Sequence, residues 1–208
     1  MNSVARSCQN INGALAADRA TVEAVRVIGG KYRRRRLLSP ESSGTRPMLD
    51  RMRETLFNIL QFEMEGVVFA DLYAGTGAVG IEALSRGAKQ ALFVEQNRAA
   101  ARGIQANLQS LGAEADAVVI QASAKDALPR IDADIWFVGP PYADHEAYAS
   151  TLAALAEQGA KLVIAQHARR HELPPSVGAL SRSRTVQIGS SALTFYRNEP
   201  AADDLKAD

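Results

Sequence analysis

Cysteine is almost absent from this chain. Cys8 is the one thiol among 208 residues, so no internal disulfide can form, which fits a reducing compartment such as the cytoplasm. Long apolar runs are missing as well, and without one of about 20 residues no helix is expected to span a bilayer. The first residues lack the basic-then-apolar pattern of a secretory signal, so export is not expected. Histidine is scarce: the three present, His145, His167 and His171, show no metal-ligand spacing with cysteine or carboxylate partners. A bound metal is therefore not expected. Internal repeats are missing too, which sets solenoid architectures aside. What remains is an ordinary globular balance, 47% hydrophobic and 23% charged, in a length that fits one domain plus an appendage. The chain is expected to act as a monomer.

A net charge of +1 hides an uneven distribution. Residues 26–54 hold nine Lys/Arg, among them Arg33, Arg34, Arg35, Arg36, Arg46 and Arg53, against Glu41, Asp50 and Glu54. That stretch carries +6, so the rest of the chain carries −5. A basic arm on a mildly acidic body is the electrostatic footprint of a nucleic-acid binder, and the six arginines are the expected phosphate contacts. The competing reading is a solvated charged face.

Periodicity divides the chain into a tail over 1–24, a basic hairpin and helix over 25–62, an α/β domain over 63–198 and a second tail over 199–208. Two short strands are expected around Gly29-Gly30, and apolar residues at helical spacing predict a helix over 48–62. Beyond residue 66 strand and helix patterns alternate. Strands are expected at 67–73, 91–95, 118–122, 135–138 and 161–166, with helices at 78–86, 97–111 and 145–158. A hairpin of 184–188 and 193–197 closes the chain. Such alternation predicts a mostly parallel seven-stranded sheet with helices on both faces and an antiparallel pair at its end.

Two loops carry chemistry. The first, Asp71-Leu72-Tyr73-Ala74-Gly75-Thr76-Gly77-Ala78-Val79-Gly80, joins the first sheet strand to a helix. Its glycines let backbone approach a ligand closely, and the helix amino terminus offers free N–H groups. Glu95 ends the next strand, where a carboxylate can accept from both hydroxyls of a ribose. Read literally, Gly75-x-Gly77-x-x-Gly80 with Glu95 satisfies the dinucleotide fingerprint, so a dehydrogenase competes. Asp71 argues against it, because a carboxylate there repels pyrophosphate but pairs with a cationic amino-acid group. Tyr73 and Thr76 belong to the same loop. Ser123 and Ala124, after the third strand, are placed beside an adenine. The second loop, Gly139-Pro140-Pro141-Tyr142, follows the buried run Ile135-Trp136-Phe137-Val138. Two prolines stiffen it and turn carbonyls outward, and Tyr142 is a platform for a flat base.

These motifs in this order resemble the bacterial small-subunit (16S) rRNA guanine-N2 methyltransferases, the RNA methyltransferase D family, over about residues 25–197. The most specific stretch is Thr45-Arg46-Pro47-Met48-Leu49-Asp50-Arg51-Met52-Arg53-Glu54-Thr55-Leu56-Phe57-Asn58. The opening Val25-Arg26-Val27-Ile28-Gly29-Gly30-Lys31-Tyr32-Arg33 and the closing Ala192-Leu193-Thr194-Phe195-Tyr196 match as well. The resemblance implies a Rossmann-like class I methyltransferase fold and S-adenosyl-L-methionine as cofactor, held by Asp71, Tyr73, Gly75, Thr76, Gly77, Glu95, Ser123 and Ala124. It implies a guanine in small-subunit rRNA, or in a partly assembled subunit, as target. The base would be splayed out, stacked on Tyr142 and held by the Pro140 carbonyl. The family's Asp or Asn before Pro-Pro is replaced here by Gly139. That leaves a slow enzyme, substitution by a nearby carboxylate such as Asp144, or an altered sequence. A binding homologue without catalysis is the alternative function, and a DNA adenine methyltransferase is a further one that the basic arm disfavours.

Overall fold

The computed structural model describes residues 25–39 and 48–198. The tails over 1–24 and 199–208 and the loop carrying Arg46 lie outside the described residues. In chain order the elements are α1 (Asp50–Ile59), β1 (Val68–Asp71), α2 (Ala78–Ser85), β2 (Gln90–Val94), α3 (Arg98–Leu111), β3 (Ala117–Ile120) and α4 (Ala124–Ala127). Then follow β4 (Ile135–Val138), α5 (His145–Glu157), β5 (Leu162–Ala168), β6 (Ser176–Val177), β7 (Leu180–Ile188) and β8 (Ser191–Asn198). Among the described residues no helix is long and apolar enough to cross a membrane.

All strands join one sheet in the order β3-β2-β1-β4-β5-β8-β7-β6. The first five are parallel, and β8, β7 and β6 add antiparallel pairs at one edge. The expected seven strands become eight because Ser176–Val177 pairs with Leu180 and Ser181, a two-residue strand too short to show a period-2 pattern. Every residue of β4 is buried, as a parallel strand covered on both faces demands. From β1 the chain winds outward through β2 and β3, then returns to lay β4 on the other side of β1. The strand order therefore reverses between β1 and β4. The crevice above that switch point is the place where open α/β sheets bind ligands, and Asp71 and Gly139 stand at its two lips.

The amino-terminal segment is fastened to the sheet rather than appended to it. Met52, Leu56 and Phe57 of α1 pack with Phe69, Phe137, Ile164 and Phe195. Val25, Val27 and Leu37 pack with Ile81, Phe93 and Ile104. Each such side chain contributes roughly 1.5–3 kcal/mol when fully buried. The two expected strands shrink to a single antiparallel bridge, Arg26 with Arg36. Gly30 and Arg34 both have positive φ and coil the intervening residues into tight turns. Only glycine fits at 30, where an added Cβ would lie 1.7 Å from the Ser85 carbonyl oxygen. Lys31 N–H donates to that same oxygen at 2.8 Å, and an Arg35 guanidinium N–H donates to the Ser110 carbonyl. Ser85 ends α2 and Ser110 lies in the last turn of α3. The arginine turn is thus tied to the carboxyl ends of those helices, at the end of the sheet opposite the crevice. With 14 residues, α3 alone spans about 21 Å.

Candidate active site

The glycine loop is held from below and from the side. Gly75 and Gly77 have φ of 52° and 75°, the left-handed region that glycine tolerates best. Glu95 accepts from Gly75 N–H at 2.8 Å and from Asn97 N–H at 2.7 Å, so one carboxylate fixes the loop and the entrance to α3. Two bonds leave roughly half of its lone-pair directions open. Tyr73 is half-buried with its hydroxyl 2.8 Å from that of Thr151, and Thr76 is buried with its carbonyl receiving Asn107 Nδ2 at 3.3 Å. Ser123 caps α4: its oxygen accepts from Asp126 N–H at 3.2 Å and donates to the Asp126 carboxylate at 2.7 Å. Ala124 is buried in the core.

Asp71 is the anomaly of this loop. It is 1% exposed, Gly80 N–H reaches its Oδ2 at a long 3.3 Å, and among the described residues its Oδ1 has no hydrogen-bond partner. Burial pushes its pKa up to about 7, against the lowering pull of the Gly80 and Tyr73 backbone and with a further rise from Glu95. A buried acceptor with no donor is costly. Its natural complement is a cation entering the crevice.

Beyond the crevice a cleft of about 970 Å³ opens between the sheet and α1, lined by Gly139, Pro140, Tyr142, Gln166, Leu49 and Met52 among others. The Tyr142 hydroxyl donates to Ser191 Oγ at 2.8 Å and accepts from Gln166 Nε2 at 2.9 Å. Its ring is therefore braced at the rim and remains 37% exposed. The buried Tyr148 hydroxyl donates to the Gln166 carbonyl at 2.7 Å and lies 3.2 Å from the Pro140 carbonyl oxygen. Burial raises the Tyr148 pKa well above the usual phenol range, so it stays a donor. Asp144 caps α5, its Oδ1 accepting from Ala147 N–H at 3.0 Å, and Oδ2 keeps its lone pairs. Beyond the Phe137 ring, the polar group nearest the bare position is Gln166: a Cβ on Gly139 would lie 3.9 Å from its Oε1. Gln166 Nε2 donates to the Tyr142 hydroxyl at 2.9 Å, so its Oε1 is the end of the amide left to accept.

Arg33, Arg34, Arg35 and Arg36 are exposed, but at the end of the sheet away from this cleft. Arg53 corrects the expectation of a phosphate contact. It is 0% exposed, with Nη2 2.9 Å from Asp50 and Nε 3.7 Å from Glu82, and its guanidinium braces the fold. Gln166, Ser191, Leu49, Arg169 and Arg170 line the cleft without having been singled out from the sequence. A usable signal did exist for the last two, a basic pair just beyond β5, since strand ends are where such sheets bind. Among the described residues no group of three His, Cys, Asp or Glu could hold a metal.

Residues 25–197 match the family model described as Conserved hypothetical protein 95. The chain is 32% identical to the "Putative rRNA methyltransferase YlbH" of Bacillus subtilis, over 83% of this chain and 98% of that protein. The chain belongs to this family of ribosomal RNA methyltransferases. Ribosomal RNA small subunit methyltransferase D of Escherichia coli strain K12 is 42% identical over 57% of this chain and 60% of its own length. The structure of the "Putative methyltransferase yhhF" of Escherichia coli superposes with a TM-score of 0.76 at 32% identity, covering 85% of this chain and 99% of that one. An RNA methyltransferase from Salinibacter ruber, solved with S-adenosyl-L-homocysteine, superposes at 0.60 with 16% identity, over 78% of this chain and all of that one. That last likeness speaks for the family's fold.

Proposed function

We propose that this chain transfers a methyl group from S-adenosylmethionine to the exocyclic N2 amine of a guanine in small-subunit rRNA, free or in a partly assembled subunit. The observation that carries the reading is the cleft of Pro140, Tyr142 and Gln166 beside a crevice in which buried Asp71 has an acceptor oxygen without a donor. Leu72 N–H donates to the Phe137 carbonyl at 3.0 Å, so the glycine loop and the Pro-Pro segment leave the sheet side by side. Asp71 suits the cofactor's ammonium, and the open lone pairs of Glu95 suit its ribose hydroxyls. When bound, S-adenosylmethionine supplies an electrophilic methyl on a sulfonium.

The chain's own residues then act by positioning. The guanine amine is a poor nucleophile because its lone pair is delocalised into the ring. Its two hydrogens are taken by the Pro140 carbonyl and by Gln166 Oε1, which aims the lone pair at the methyl. Tyr142 stacks the splayed base, and α1 closes the cleft against water. The amine nitrogen would take the methyl from the sulfonium, leaving S-adenosylhomocysteine, and the surplus amine proton would be lost to solvent as the product leaves the cleft. Exposed Arg33, Arg34 and Arg36 meet RNA beyond the target nucleotide. Neutralising two of them is expected to flatten the salt dependence of binding to full-length rRNA.

Labelled methyl transfer to small-subunit rRNA or its precursor particles, with N2-methylguanosine identified by mass spectrometry, tests the reading. Tight S-adenosylhomocysteine binding without any labelled RNA points instead to a binding homologue, the alternative that Gly139 favours.

Asp71 gives a pH prediction. Its folded pKa of about 7 lies above the ordinary value of 3.8. The cofactor-free fold therefore holds a proton that the unfolded chain releases, and stability falls as pH rises from about 4 through about 7. Asp71→Asn is expected to raise Tm by several degrees at pH 8, change it little at pH 5, and abolish tight cofactor binding. Parallel pH–Tm profiles for both proteins would show that Asp71 is not the titrating group.

A further inference from the structure

A second concave surface lies around the outer edge of the sheet, on the face covered by α5. It is a cleft of about 630 Å³ lined by His167, Arg169, Arg182, Arg184 and Thr185, with Glu172 as its acidic member. We propose that this cleft grips the RNA backbone next to the target nucleotide, an inference that rests on the methyltransferase reading above.

Continuity is the first support. Arg169 lines both this cleft and the Tyr142 cleft, so the two surfaces meet over the carboxyl end of β5. A ligand that fills both is a chain and not a small anion.

The second support is strand chemistry. In β7 the five residues Ser181 to Thr185 are all exposed, while the adjoining β8 is buried over six successive residues. An antiparallel strand with one face on the core normally alternates. Here a bulge between Arg182 and Arg184 shifts the ladder against β8, and bulges re-aim side chains. Both arginines line the same cleft.

Charge is the third. Among the described residues neither Arg169, Arg182 nor Arg184 has a carboxylate within ion-pair distance, whereas Arg26, Lys31, Arg86 and Arg197 do. Burial holds His167 and His171 below the ordinary imidazole pKa, with His145 and His167 adding to the depression at His171. At neutral pH the positive charge is therefore that of the three arginines, offset by Glu172. Planar guanidinium forks match phosphate oxygens in pairs, and this cleft lies beside the target pocket, whereas the arginine turn of residues 30–35 lies at the other end of the sheet.

The test is a salt titration of binding to a deproteinised small-subunit rRNA fragment, with methyl transfer measured alongside. Arg182→Ala/Arg184→Ala is expected to reduce the slope of log K against log salt by about 1.4, the value for two lost single-strand phosphate contacts. Arg182→Lys/Arg184→Lys is expected to keep most of the slope, and melting curves to be alike. An unchanged slope in the alanine pair overturns the proposal. So does an equal loss of slope in the lysine pair, because lysine keeps the charge whose phosphate contacts the slope counts, or an effect seen only with protein-containing particles, which would assign the cleft to a protein partner. Methyl transfer with an unchanged slope removes the cleft alone. A reduced slope in a chain that transfers no methyl removes the catalytic reading alone.

Discussion

Gln166→Leu is expected to lower kcat for methyl transfer by two to three decades while leaving S-adenosylhomocysteine affinity within a factor of two or so of its starting value. The factor follows from the loss of one hydrogen-bond partner that matters only in the transition state, roughly 2.7–4 kcal/mol in a dry site. Leucine keeps the volume and the strand position but removes the side-chain acceptor nearest Gly139. Gln166→Glu, which keeps an oxygen there and gives up the bond from Nε2 to Tyr142, is expected to fall less. The decisive partner is Gly139→Asn. Gly139 does not have a left-handed φ, and an added Cβ meets the Phe137 ring at 3.2 Å, a contact relieved by a few tenths of an ångström. Asparagine at 139 is therefore expected to restore much of the rate lost in Gln166→Leu while adding little to the unsubstituted chain. If Gly139→Asn raises the unsubstituted rate by two decades, the chain lacks a second acceptor and Gln166 does not supply one. An undiminished rate in Gln166→Leu likewise removes Gln166 from that role.

What the sequence disclosed and what it hid divide along a physical line. Signals that act within a few residues were readable. The continuous apolar run of β4, the helix over 97–111 that became α3, and the Asp71 loop with Glu95 one strand later all follow from local pattern, and the structure brings Asp71, Gly75 and Glu95 to one crevice. Signals that need a distant partner were not. Arg53 and Arg33 are the same residue type in the same basic stretch. One is 0% exposed, set between buried Glu82 and the half-exposed Asp50, and the other is exposed. Gln166 reads as an ordinary strand residue until β5 lies next to β4. The arginine run drew attention by its density, yet topology sets it beside Ser85 and Ser110, and the less dense arginines of β7 stand nearer the target pocket.

Glu82→Gln is expected to be the most destabilising single change, because this side chain joins the amino-terminal segment to the body. Glu82 is fully buried on α2. It accepts from Ile28 and Gly29 N–H at 2.8 Å each and from Arg86 Nε at 2.8 Å, with Arg53 Nε at 3.7 Å. Arg53 is buried, and among the described residues its Nε and Nη1 lack hydrogen-bond partners. Burial lowers its pKa, and the charges of Glu82 and Asp50 push the other way. Removing the Glu82 charge leaves buried Arg53 with Asp50 as its remaining carboxylate. The amide nitrogen in place of one oxygen meets a buried donor head-on, Ile28 N–H at Oε2 or Gly29 N–H and Arg86 Nε at Oε1. That class of change costs about 3–5 kcal/mol. At this chain length that corresponds to a Tm loss of roughly 6–20 °C. Arg53→Met is expected to cost less, since Glu82 would keep both backbone donors and Arg86. The reverse order would mean that Arg53, not Glu82, is the centre of the network. The functional consequence follows from α1, whose Met52 and preceding Leu49 wall the target cleft while Asp71 and Glu95 lie on other elements. At a temperature where Glu82→Gln is still folded, its KM for RNA is expected to rise several-fold while S-adenosylhomocysteine affinity holds. Equal losses of both would place the damage in the glycine loop at the head of α2 instead.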